Sequence, residues 1–161
     1  MTRDDLRAAL DHPNVRAFLA CLKLGEGTSD GERGYHRIVG GEEVEDLSWH
    51  PRKKVYIKRY RVWSTAAGAY QIIYPTWEGL VKAYGFDDFY PDTQDEAAVA
   101  LIAGRQALQD VKDGFIVDAI RKCAKEWASL PGSTYGQRTE RLDRVLAEYE
   151  KWGGGYSEAV A

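Results

Sequence analysis

A β-rich island inside an otherwise helical chain is the feature that most restricts the fold. Val55 to Trp63 is crowded with β-branched and aromatic residues, and Ile38-Val39 runs into Gly40-Gly41, a hairpin signal. These features predict an antiparallel sheet of two or three strands within residues 35–63. Around it, apolar residues recur at helical spacing. Residues 14–24 read as a helix with Asn14 as N-cap and Val15, Phe18, Leu19 and Leu22 on one face; Gly25 ends it. The glycine-rich residues 25–34 read as a loop. Pro75 opens a helix carrying Trp77, Leu80 and Val81. Thr93-x-x-Glu96 reads as a capping box for an alanine-rich helix to about Arg105. Asp113 is the expected cap of a helix bearing Ile116, Val117, Ile120 and Trp127, broken by Pro131-Gly132. Leu142, Val145, Leu146 and Tyr149 mark a last helix, stopped by Gly153-Gly154-Gly155.

The pattern predicts an α+β fold: a small antiparallel β lobe over about 33–64 beside a mostly helical lobe of 14–25 and 65–152. A length of 161 residues fits a single domain spanning 1–161. Two lobes leave a cleft between them, where an extended ligand would lie.

Charge and cysteine usage exclude several classes. Lys and Arg number 22 against 25 acids, a net −3, so a globally basic nucleic-acid binder is disfavoured. The longest apolar run, Ala97 to Ala103, is too short to span a bilayer, and MTRDDLRAAL lacks the apolar core of a signal peptide. Cys21 and Cys123 lie far apart without zinc-ligand spacing. Two buried thiols are expected, and a disulfide between them stays open. His12, His36 and His50 share no spacing, and there is no phosphate loop, dinucleotide fingerprint or HExxH. No metal and no cofactor are expected.

Four segments could carry chemistry. Glu26 sits in Gly-Glu-Gly just after an apolar helix end. The negative end of the helix dipole and partial burial beside Leu24 would both raise its pKa, as a general acid near neutral pH requires. A solvated turn glutamate is the other reading. Ser64 to Ile72 combines small residues with Tyr70-Gln71, a ring and an amide able to meet sugar hydroxyls; a helix with a small packing face would look the same. Trp127 to Gln137 reads as a helix end, a break and a glycine-flanked aromatic loop over a cleft. Finally, His50 to Arg61 holds Arg52, Lys53, Lys54, Lys58, Arg59 and Arg61 with no acid among them and Tyr56 and Tyr60 interleaved, with Trp63 just beyond. This strip could attract a nucleic acid or the carboxylates of a wall polymer, or be a solvated strand face.

Taken together these pieces resemble the lambda-type phage endolysins, lysozyme-like enzymes that cleave peptidoglycan. The resemblance rests on Glu26-Gly27-Thr28, Gly34-Tyr35, Ile38 to Glu42, His50-Pro51-Arg52, Ser64 to Gln71, Asp88-Phe89, Pro91, Gln94-Asp95, and Trp127 to Gly132 with Tyr135-Gly136-Gln137. They occur in the family's order over about residues 14–152. The resemblance implies a lytic transglycosylase cutting the β-1,4 bond between N-acetylmuramic acid and N-acetylglucosamine, with Glu26 as its sole catalytic carboxyl group. A hydrolytic muramidase and a non-catalytic wall-binding module are the alternatives. It also implies substrate contacts from Thr28, Ser64, Tyr70, Gln71, Tyr135 and Gln137. Some members carry Arg where this chain has Ala69. The other large group of phage lysozymes places an Asp nine positions after its Glu, where this chain has Tyr35. Glu42, Glu43, Glu45 and Asp46 are the acids that could substitute, Glu42 foremost. The expected partner is peptidoglycan glycan, with no nucleic acid and no stable membrane association. A monomer is expected to accumulate in the host cytoplasm until a separate holin releases it to the wall.

Overall fold

The computed structural model describes residues 1–133 and 138–158. Helix α1 (Arg3–Ala9) is followed by α2 (Pro13–Glu26) and the single turn α3 (Glu32–Tyr35). Strands β1 (Val55–Ile57) and β2 (Val62–Ser64) come next, then α4 (Tyr74–Tyr84), α5 (Pro91–Gly104), α6 (Leu108–Asp113), α7 (Ile116–Cys123) and α8 (Leu142–Lys151). The α+β class read from the sequence is the one observed.

Helix α2 is the axis of the helical lobe and packs on α5, α6 and α8. It is buried on nearly all sides: Val15, Ala17, Phe18, Leu19, Cys21 and Leu22 are all in the core. Each fully buried side chain of the larger kind stabilises the fold by about 1.5–3 kcal/mol. Its start differs from the expected one. His12, not Asn14, is the N-cap, and its ring nitrogen accepts from the Asn14 N–H. Pro13 follows with φ already set for a helix. Asn14 instead ties two distant segments, donating to the Val111 and Lys112 carbonyls and accepting from Gly155 N–H. Cys21 and Cys123 are free and buried, and burial pushes each thiol up to about 12.

Helix α5 runs through the protein interior, with Gln94 and Ala97 to Ala100 buried. Its N-cap is Tyr90; the expected capping box does not form. The Thr93 hydroxyl donates to Asp88, and Glu96 faces α1, where Arg3 and Arg7 reach its carboxylate at 3.2 and 2.8 Å. A buried carboxylate is tolerable only with such partners. Asp113 closes α6 instead of capping α7, and α7 stops at Cys123, short of Trp127.

The β lobe is smaller than 33–64. Residues 32–35 are helical, and the only sheet among the described residues is the antiparallel ribbon pairing Val55 with Ser64, Tyr56 with Trp63 and Ile57 with Val62. The Gly40-Gly41 signal is a real turn, with φ of 91° and 98° and Ile38 N–H bonded to Glu42 carbonyl. It closes an isolated bridge, Arg37 to Glu43, and no third strand. Residues 65–73 are a tight turn bridged at Ala67 and Ile72, not a helix.

Candidate active site

The turn of α2 that carries Glu26 ends two residues later than the sequence suggested. Gly25 stays helical, and Gly27 takes the left-handed conformation (φ 72°), which leaves Glu26 as the last helical residue. Its carboxyl group therefore sits at the negative end of the helix dipole. Gly25 has a different purpose. A Cβ there would lie 2.6 Å from Ser129 Oγ, so its absence lets Ser129 come in and donate to Glu26 Oε1 at 3.3 Å. Burial pushes the Glu26 pKa up to about 7, against the downward pull of the Ser129 hydrogen bond. No charged group among the described residues contributes to that shift.

The 66–72 turn is fixed from three directions, one of them by Thr28 just after Glu26. The Thr28 hydroxyl donates to Ala69 carbonyl at 2.6 Å, and the Ala69 N–H donates to Gln94 Oε1 at 2.9 Å. The other end of the Gln94 amide donates to the Tyr35 and Phe89 carbonyls. The Tyr70 and Tyr35 hydroxyls donate to one oxygen of Asp95, at 2.6 and 2.8 Å. From the far side Trp127 Nε1 donates to the Tyr70 carbonyl at 3.1 Å, which links the turn to the segment bearing Ser129. Gly68 (φ 83°) is obligatory here, because a Cβ would run into Gln94 Oε1.

These contacts reassign two of the expected substrate contacts. Thr28 is fully buried and Tyr70 is 1% exposed, with both hydroxyls committed inside the protein. They hold the turn, and the little surface each keeps lines a recess beside it. Thr28→Val keeps the shape but leaves the buried Ala69 carbonyl without its donor, which costs about 2 kcal/mol. The urea midpoint should fall accordingly; a Thr28 that touched sugar would instead move KM at an unchanged midpoint. Ser64 is half-buried at the end of β2, its Oγ accepting from Ala66 N–H. Gln71 is half-buried (φ 50°) and gives its amide nitrogen to the Arg37 and Gly68 carbonyls, so a ligand would meet its amide oxygen. Tyr135 and Gln137 lie outside the described residues.

A recess of about 610 Å³ meets the turn at Tyr70 and is lined by Lys23, Thr28, Ser29, Asp92 and Asp95 among others, and two smaller ones flank the turn. One, of about 240 Å³, is lined by Gln71, Ile73, Thr76, Leu101, Glu126 and Trp127 among others. The second, of about 340 Å³, is lined by Arg52, Lys54, Trp63, Ser64, Ile73 and Tyr74 among others. Ile73 is common to both. Neither is lined by Glu26; Trp127, two positions before the Ser129 that bonds Glu26, lines the smaller one. Sequence reasoning missed Ser129, Gln94 and Asp95 as parts of the site. All three stood in the motifs already singled out, but their contacts join residues 25 to 103 positions apart. No group of three or more His, Cys, Asp or Glu among the described residues could hold a metal ion, and no described helix is long and apolar enough to cross a membrane.

A helical lobe, a small sheet and a half-buried carboxyl group that ends the core helix define a lysozyme-like protein. Comparison with known proteins narrows this: the Endolysin family model matches residues 16–156, and the chain belongs to that family. It is 40% identical over 148 residues to the endolysin of Escherichia phage lambda, covering 89% of this chain and 93% of that one. It is also 40% identical to the endolysin of Escherichia phage P2 over 157 residues, 89% of this chain and 94% of that one. The structure of bacteriophage lambda lysozyme complexed with a chitohexasaccharide superposes with a TM-score of 0.84 at 40% identity, over 89% of this chain and 96% of that chain.

Proposed function

We propose that this chain cleaves the glycan strands of peptidoglycan as a lytic transglycosylase, with Glu26 acting first as general acid and then as general base. The observation that carries the reading is a half-buried carboxyl group that ends the core helix, bonded by Ser129, with burial pushing its pKa up to about 7 and no charged neighbour contributing. Two-carboxylate glycosidases need a second acid about 5–9.5 Å away across the bond. Three of the four acids that could fill that role are engaged elsewhere. Glu42 is exposed and paired with Lys53 at 2.9 Å, and Glu43 is paired with Arg33 and Arg37. Asp46 accepts from Ser48 N–H. Those partners hold all three below the ordinary carboxylate range. Tyr35, at the ninth place after Glu26, is tied to Asp95. The lambda lysozyme complex with a chitohexasaccharide supports a glycan as ligand.

Protonated Glu26 donates to the glycosidic oxygen as the bond to the muramic anomeric carbon breaks. Positive charge at that carbon is met by the sugar's own acetamido oxygen and by nearby protein dipoles. The primary hydroxyl of the same sugar then attacks, closing a 1,6-anhydro ring, and its proton returns to the Glu26 carboxylate. Because the attacker is part of the substrate, no water has to be captured and oriented. Gln71 and Ser64 would orient the strand, with Tyr135 and Gln137 expected to do so too. A monomer held in the host cytoplasm and released by a holin is part of the same proposal. Mass spectrometry of a wall digest decides the chemistry. Muropeptides lighter by one water than hydrolytic products are expected, and reducing muramic ends would identify a hydrolase.

A further inference from the structure

The basic strip is not used by the proposed mechanism, and its geometry sets it apart. Residues 47–77 contain six cations and no acid, on a chain of net −3. Elsewhere cations are largely met by acids, as in Arg105 with Glu126, Lys122 with Asp110 and Arg37 with Asp30. Within the strip only Lys53 is so paired, with Glu42; Arg52, Lys54, Lys58, Arg59 and Arg61 have no carboxylate partner among the described residues.

Arg52 is also held in place. Its backbone is in the left-handed region (φ 54°), uncommon outside glycine. That turn is pinned by His50, which is 2% exposed: His50 Nδ1 accepts from the Arg52 N–H at 3.0 Å, and Nε2–H donates to the Ile72 carbonyl at 2.8 Å. The Arg52 guanidinium lies over the Tyr74 ring at 4.2 Å. It shares the 340 Å³ recess with Lys54 and Trp63, and that recess has Ile73 in common with the one holding Gln71. Beside it, Trp63 is 67% exposed and stands 5.2 Å from Tyr56 on the ribbon. Flat exposed rings suit sugar faces, and fixed cations without partners suit carboxylates.

We propose that Arg52 and Lys54, with Trp63, form a subsite reading the carboxylates of the lactyl-peptide arms that alternate along a wall glycan strand. The inference rests on the reading of the chain as a wall-glycan enzyme and adds what distinguishes a peptide-bearing strand from a bare sugar polymer. A phosphate polymer or anionic membrane would also feel the charge. The recess meets the one holding Gln71 at Ile73, which favours the glycan.

The test is co-sedimentation with purified sacculi, native or with carboxylates converted to neutral amides, for wild type, Arg52→Gln/Lys54→Gln, Lys54→Gln alone and Glu26→Gln. Sedimentation needs no cleavage, so loss of turnover in Glu26→Gln and loss of binding in the strip variants report on separate claims. Wild type should bind native sacculi about five- to tenfold more tightly than amidated ones, as two partly exposed ion pairs would give. The preference should fade between 0.05 and 0.5 M salt on the order of the screening expected there. The double variant should bind both forms equally, and Lys54→Gln, which leaves the Arg52 turn intact, should lose part of the preference. Equal wild-type binding to both forms overturns the proposal, as does a double variant that keeps the preference. So does a double variant that loses affinity for phosphatidylglycerol vesicles or an oligonucleotide but none for native sacculi.

Discussion

Glu26→Gln is expected to lower the rate of wall cleavage by at least about 10³-fold while leaving the binding of sacculi intact, since the substitution keeps volume and polarity but removes the transferable proton. One group serves both as acid and as base, so its loss removes both steps. The same reasoning sets the pH profile of the wild type. With the Glu26 pKa pushed up to about 7 by burial, the reactive protonated form is the major one below that pH and is lost above it. The wild-type kcat/KM should therefore fall about tenfold per pH unit on the alkaline side of 7. A second, lower limb from an ionised carboxylate partner belongs to a two-carboxylate hydrolase, and turbidity assays from pH 4 to 9 separate the two shapes. Turnover by Glu26→Gln within about tenfold of wild type removes Glu26 from the mechanism.

Glu26 was legible because its surroundings were local: an apolar helix end, two flanking glycines and a dipole that all act within a few residues. What fixes it was not. Gly25 looked like a helix stop, yet it is helical because Ser129, 103 positions after Glu26, needs the space a Cβ would take. Thr28 and Tyr70 were placed among the substrate contacts because their side chains can bond sugars. The fold turns both inward, to Ala69 and Asp95, and nothing in local sequence reveals that. The missed cap at His12 has the same origin: Asn14 is the better cap by type, but its amide is drawn to α6 and to Gly155. Thr93 and Glu96 had the spacing of a capping box, but Thr93 bonds Asp88 five residues back and Glu96 is drawn to Arg7 of α1. The β-rich island was read as a larger sheet because β propensity marks the ribbon but not where pairing ends. Local chemistry therefore marked the candidate acid, while the residues packed around it were set by tertiary contacts.

The same raised pKa has a consequence for stability. In the unfolded chain Glu26 titrates near the ordinary 4.5, and in the folded protein near 7. Between these values the folded state holds a proton that the unfolded state has released, so unfolding becomes easier as pH rises through this window. Above it the penalty levels off at about 3 kcal/mol, from roughly 1.4 kcal/mol for each unit of difference. Glu26→Gln is neutral in both states and escapes the penalty. The variant should therefore match the wild type in stability at pH 4 and exceed it by up to about 3 kcal/mol at pH 8, a Tm gain of about 6–10 °C for a chain of this size. Asp30, Glu42, Glu43 and Asp46 are held low by their partners and act in the opposite sense, their contribution being lost as pH falls; they are common to both proteins and cancel in the difference. Paired thermal melts at pH 4 and pH 8 measure it. A Tm difference that is flat with pH would mean that Glu26 ionises as it does in water, and neither the acid–base role nor the alkaline fall in rate would then have a physical basis.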